Sequence, residues 1–222
     1  MNIQITYHGE TLNAYLAKPQ IPNGAAILVC HAWWGLNDFF TNLCDRLAEQ
    51  GYLTLAPDFY HGAVASQIED AKKLRAKIDR KILNKELLAA TDYLVTHKDI
   101  TQNKIGVLGV SLGTQWAFWL SNNRPQHIAA VVAYYGVGSG NFAKTQAAYL
   151  GHFAENDKWG VTEKKVQKLR EKLENQGCTV IFHTYPGTEH WFFEADQPYY
   201  DHKAASIAWQ RTLDFLEKTL IV

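Results

Sequence analysis

The sequence predicts an α/β fold: one mostly parallel central sheet with helices on both faces. Three observations predict it. Short continuous apolar runs recur along the chain, as in strands buried on both faces. Amphipathic stretches with helical spacing separate them. Glycine or proline punctuates several of the changeovers. No repeat, low-complexity stretch or long linker divides the 222 residues, so a single domain over residues 1–222 is expected.

The elements follow in order. Ile3–Tyr7 and Leu12–Ala17 read as an opening hairpin turning near Gly9-Glu10. Ala25–Cys30 is a buried strand. Phe39–Gln50 is a helix closed by Gly51, whose missing Cβ suits a left-handed cap. Tyr52–Ala56 is the next strand, stopped by Pro57. Gln67 to about His97 is helical in two pieces, with Leu87, Ala90 and Leu94 on one stripe. Ile105–Leu108, Ala129–Tyr135 and Ala148–Phe153 are further strands. Thr162 N-caps a helix with Glu163 in its first turn and Val166, Leu169 and Leu173 buried; Gly177 ends it. Cys178–Tyr185 is the last strand, and Tyr200–Leu220 a long terminal helix.

Composition narrows the function. Apolar residues make up 47% and charged residues 20%, as in soluble globular chains, and the formal net charge is zero. With no basic or acidic block, neither nucleic acid nor a membrane surface is expected as a partner. Ile105–Asn123 is uncharged, but its glycines, Ser111, Thr114, Gln115 and Ser121 suit a strand plus a helix better than a membrane span. Cys30, Cys44 and Cys178 form an odd set without Cys-x-x-Cys, which predicts reduced thiols and a cytoplasmic location. The first residues lack a basic region followed by an apolar core, so no signal peptide is expected. No His-Glu-x-x-His or paired Cys/His spacing occurs, so no metal is expected. Gly138–Ala143 fits Gly-x-Gly-x-x-Gly/Ala, but no helix pattern starts there, and no cofactor is implied.

The chemistry centres on Gly109-Val110-Ser111-Leu112-Gly113, between the apolar run Lys104–Leu108 and the helical Thr114–Leu120. Strand, Gly-x-Ser-x-Gly, helix is the layout of a nucleophile elbow, which lifts the Ser hydroxyl onto a sharp turn. A Ser hydroxyl needs a base to take its proton, and the base needs an acid to hold its tautomer. On such elbows the partners follow in the order Ser, acid, His. Glu155 and Asp157 are the acids in the next strand-end loop, and His190 sits on a Pro/Gly turn after the last strand. Asp157 and His190 are the candidates. His8, His97 and His127 fall at turns or helix ends, His183 in a strand, and His202 at a helix start; His31 precedes the Ser. The Leu112 and Trp33 amides are the candidate oxyanion donors. Trp34, Tyr60, Tyr135, Trp159 and Trp191, together with Trp33, are candidate walls of an aromatic pocket.

With these residues in view, the chain resembles the dienelactone hydrolase family of α/β-hydrolases. The matching pieces are His31-Ala32-Trp33-Trp34-Gly35-Leu36-Asn37, Ala56-Pro57-Asp58-Phe59-Tyr60, the elbow, Tyr134–Gly138, Glu155-Asn156-Asp157, Pro186–Phe192 and Arg211–Leu216. They run in the family's order across nearly the whole chain. The resemblance implies an α/β-hydrolase fold and maps the family's triad onto Ser111, Asp157 and His190. Three departures stand out. The best-known members carry Cys at position 111, and a Glu that helps activate the thiol where this chain has Ala32. They also bind a substrate carboxylate with arginines. At the matching positions this chain has Glu194 and, in loose alignment, Ser66–Ile68, which counts against an anionic dienelactone.

The expected function is therefore a serine hydrolase acting on a small ester, lactone or thioester through an acyl-enzyme, as a monomer or homodimer. Acyl transfer and peptide cleavage use the same triad. A hydrolase-fold binding protein without turnover is the alternative of another class, and the complete triad argues against it.

Overall fold

In the computed structural model, residues 1–221 are described, and eight strands form one sheet. The chain opens with β1 (Asn2–Tyr7) and β2 (Glu10–Ala17), an antiparallel hairpin. Its turn is His8-Gly9, both with positive φ, one residue earlier than the sequence suggests. The residues pairing across it are Tyr7 and Glu10, which leaves two residues for a tight turn matched to strand twist. There follow β3 (Ala26–Cys30), α1 (Asp38–Glu49), β4 (Leu53–Pro57), α2 (Ile68–Ala76) and α3 (Arg80–Val95). The second half contains β5 (Ile105–Val110), α4 (Thr114–Asn123), β6 (Ile128–Tyr134), β7 (Ala148–Ala154), α5 (Glu163–Glu174), β8 (Val180–Tyr185) and α6 (His202–Leu220).

The spatial order is β1-β2-β4-β3-β5-β6-β7-β8. β2 pairs antiparallel with β4, and every pair from β4 through β3 to β8 is parallel. Side chains alternate across the sheet, so each central strand feeds two cores. Ile27 and Val29 of β3 join the core formed with α1 and α6. Leu28 and Cys30 join the core formed with α3, α4 and α5. This two-sided burial explains why β3 and β5 are apolar without alternation.

The starts of α1, α3, α5 and α6 carry side-chain caps. Asn37, Asp79, Thr162 and Asp201 each accept from an amide of the first turn. Ile105–Asn123 is indeed strand, turn and short helix. Among the described residues no helix is long and apolar enough to cross a membrane. Because β3 and β5–β8 run parallel, the loops after β3, β5, β7 and β8 leave the same edge of the sheet.

Candidate active site

Ser111 sits at the first position after β5, in a single 3₁₀ turn (Ser111–Gly113) that leads into α4. Its φ is +49°, a strained value for a residue with a Cβ. The flanking glycines make the turn sterically feasible. A Cβ on Gly113 would lie 2.0 Å from the carbonyl oxygen of Cys30, and one on Gly109 2.7 Å from Cα of Thr114. The elbow is therefore pressed against β3 on one side and against its own helix on the other.

Ser111 Oγ lies 2.8 Å from Nε2 of His190, and Nδ1 of His190 lies 2.5 Å from Oδ2 of Asp157. The side chains of His190 and Asp157 are 6% and 1% exposed, so water does not compete for this pair. The other oxygen of Asp157 accepts from the amides of Trp159 at 2.8 Å and Val161 at 3.2 Å. Burial pushes the Asp157 carboxyl up, but the hydrogen bond and charge of His190, aided by those amides, outweigh it and hold the pKa below 3.8. An ionised Asp157 can only accept, so Nδ1 of His190 carries the proton. With the proton on Nδ1, Nε2 is the nitrogen placed to accept from the Ser111 hydroxyl.

The two loops are stitched together. Asn156 donates its amide to the Thr188 carbonyl at 2.9 Å, and Lys158 pairs with Glu189 at 3.1 Å. Glu155, the competing acid, accepts from the Gly187 amide at 2.8 Å and so braces the His190 turn. His31 is wholly buried. Its Nδ1–H donates to the Ala32 carbonyl at 2.6 Å, and its Nε2 accepts from the Phe59 amide at 3.1 Å. Burial lowers its pKa to about 4, which keeps it neutral as a brace of the loop after β3.

A cavity of about 270 Å³ opens beside Ser111 and His190. Trp33 and Leu112 flank it, as an oxyanion site requires, and Tyr135, Trp159 and Trp191 are among its walls. Trp33, Trp159 and Trp191 pack on one another with centroids 4.9–6.3 Å apart. Two expected wall residues are not there. Trp34, 4% exposed, packs behind Trp33 and Trp191. Tyr60 packs edge-on against His31 and lines a separate cleft with Leu74, Ile78 and Ile82. Trp34 and Tyr60 each lie within a turn, just before the positive-φ residues Gly35 and His61, so closeness to a motif in sequence did not translate into closeness to the cavity.

Arg75 of α2 lines the cavity, although the sequence offered no arginine near Ser66–Ile68. Glu194, in the position suggested by the resemblance for an arginine, does not face the substrate space. It is fully buried and accepts from the Tyr135 hydroxyl at 2.9 Å. Burial raises its pKa to about 8, against the opposing Tyr135 hydrogen bond and with help from Asp196, so at neutral pH it is mostly a neutral acid. Among the described residues no group of three or more His, Cys, Asp or Glu is placed to hold a metal ion.

Comparison with known proteins agrees with this architecture. The model of the Dienelactone hydrolase family matches residues 12–220. "Protein usf" of Aquifex pyrophilus is 28% identical over 228 residues, covering 98% of each chain. The "Probable 2-oxo-3-(5-oxofuran-2-ylidene)propanoate lactonase" of a Bradyrhizobium species is 26% identical over 232 residues, covering 96% of this chain and 92% of that one. The crystal structure of a dienelactone hydrolase from Anabaena variabilis superposes with a TM-score of 0.70 at 20% identity, covering 99% of this chain and 97% of that one. At that identity the superposition shows a shared fold.

Proposed function

Since this chain belongs to the dienelactone hydrolase family, we propose that it is a serine hydrolase that cleaves a small ester, lactone or thioester through an acyl-enzyme. The observation that carries this reading is the pair of hydrogen bonds from Ser111 to His190 and from His190 to Asp157, at 2.8 and 2.5 Å.

Ser111 Oγ attacks the carbonyl carbon as its proton passes to Nε2 of His190. The imidazolium is stabilised by Asp157, and the amides of Leu112 and Trp33 hold the oxyanion. Collapse of the tetrahedral adduct breaks the bond to the leaving group, which takes the proton from His190. His190 then draws a proton from water, whose oxygen attacks the acyl carbon. The acid is released as the proton returns to Ser111. With Ser at position 111, the nucleophile needs His190 as its base, and Ala32 supplies no carboxylate beside it.

The cavity volume sits near the low end for ligand pockets, which favours a small acyl group. The faces of Trp33, Trp159 and Trp191 suit a flat or apolar one. Arg75 adds a cation at the cavity and Glu194 is withdrawn from it, so a carboxylate-bearing substrate is accommodated better than the sequence suggests. The reading is tested by p-nitrophenyl acetate hydrolysis with the wild type and Ser111→Ala. Loss of turnover in the variant supports it; equal rates contradict it.

A further inference from the structure

We infer that Glu194 is a positioning residue: through the Tyr135 hydroxyl it holds the Tyr135 ring against His190 and so fixes the imidazole that serves Ser111. This rests on the reading of His190 as the base.

The geometry runs in one line from Glu194 to the nucleophile. Glu194 has no measurable exposure. One of its oxygens accepts from Tyr135 at 2.9 Å, and the other is buried with no partner. A buried carboxyl with a single partner costs stability, so its presence here calls for a reason beyond packing. The Tyr135 ring is equally buried, and its centroid lies 4.7 Å from that of His190 at an interplanar angle of 54°. Tyr135 also lines the cavity.

Tyr135 is itself held in an unusual state. It follows the last residue of β6 with φ +35°, which a side chain rarely adopts. Two hydrogen bonds hold it there: its amide donates to the His152 carbonyl at 2.7 Å, and its hydroxyl donates to Glu194. The first fixes the backbone and the second fixes the far end of the ring. Phe192 packs edge-on against the same ring at 5.4 Å, which leaves it little freedom except sliding along His190. The neutral acid accepts the hydroxyl without placing a second carboxylate charge behind the imidazole, so Asp157 alone is left to balance the imidazolium.

The test compares wild type, Glu194→Gln, Glu194→Ala and Tyr135→Phe by two readouts. One is the carbon–proton NMR cross-peaks of the His190 ring, which report the ring current of residue 135 and need no turnover. The other is kcat and KM for p-nitrophenyl acetate. Glu194→Gln keeps an acceptor and is neutral, so it retains the wild-type cross-peaks and rate. Glu194→Ala and Tyr135→Phe shift the His190 cross-peaks and lower kcat by about tenfold with little change in KM, the scale of a modest misplacement of a reacting group. Tyr135→Phe keeps the ring and so serves if Glu194→Ala does not fold. Unshifted cross-peaks with wild-type kcat in a folded variant overturn the inference. Cross-peaks that shift in Glu194→Ala and Tyr135→Phe, in a protein whose wild type hydrolyses no ester, would uphold the positioning role and remove the proposed reaction instead.

Discussion

The amide of Asn156 donates to the carbonyl of Thr188 at 2.9 Å, tying the loop that carries Asp157 to the loop that carries His190. With the Lys158–Glu189 pair and the Glu155–Gly187 bond, Asp157 and His190 are held in register by their own neighbours. On the proposed reading, this bracing reduces the ordering that substrate binding must supply.

Asp157→Asn should reverse the His190 tautomer. The oxygen of the new amide is drawn to the Trp159 and Val161 amides, which turns its NH₂ toward Nδ1. Nδ1 must then accept, Nε2 carries the proton, and the ring cannot take one from Ser111. We expect kcat to fall by about 10³–10⁴-fold with an unchanged circular dichroism spectrum. A loss under tenfold would show that Asp157 does not set the tautomer.

Arg75 should discriminate by charge. Arg75→Met keeps most of the side-chain length and removes the cation. We expect KM to rise by about tenfold for a lactone bearing a carboxylate and to change little for its neutral methyl ester. Equal effects on both would place the guanidinium outside the substrate's reach.

Glu194 should make the fold less stable as pH rises. Its folded-state pKa is raised from 4.5 to about 8 by burial, opposed by the Tyr135 hydrogen bond and aided by Asp196. The folded state therefore binds the proton more tightly than the unfolded chain. The contribution is fully present below pH 4.5 and is lost as pH rises through about 8. Urea midpoints taken across this range should fall more steeply for wild type than for Glu194→Gln. Parallel curves would mean that Glu194 ionises normally.

Most of the fold was legible because buried strands and amphipathic helices leave local periodic signals, and the order and strand-end positions of Ser111, Asp157 and His190 point to the side chains that the structure brings within hydrogen-bond distance. What stayed hidden depends on tertiary placement. Trp34 follows Trp33 directly, yet only Trp33 borders the cavity. Arg75 lies on a short helix whose placement beside the cavity no local pattern encodes. Glu194 reads in the sequence as a charge facing substrate, whereas the fold turns it inward to Tyr135. Its one sequence signal is an acid directly after the buried aromatic run Trp191-Phe192-Phe193.

Ser111 as a nucleophile activated by His190 is tested most directly by labelling with a fluorophosphonate probe, followed by mass mapping of the modified peptide. We expect one adduct, on Ser111, with none in Ser111→Ala and at least about a hundredfold slower labelling in His190→Ala. A folded wild-type protein that takes up no probe, or takes it up at another residue, would contradict it.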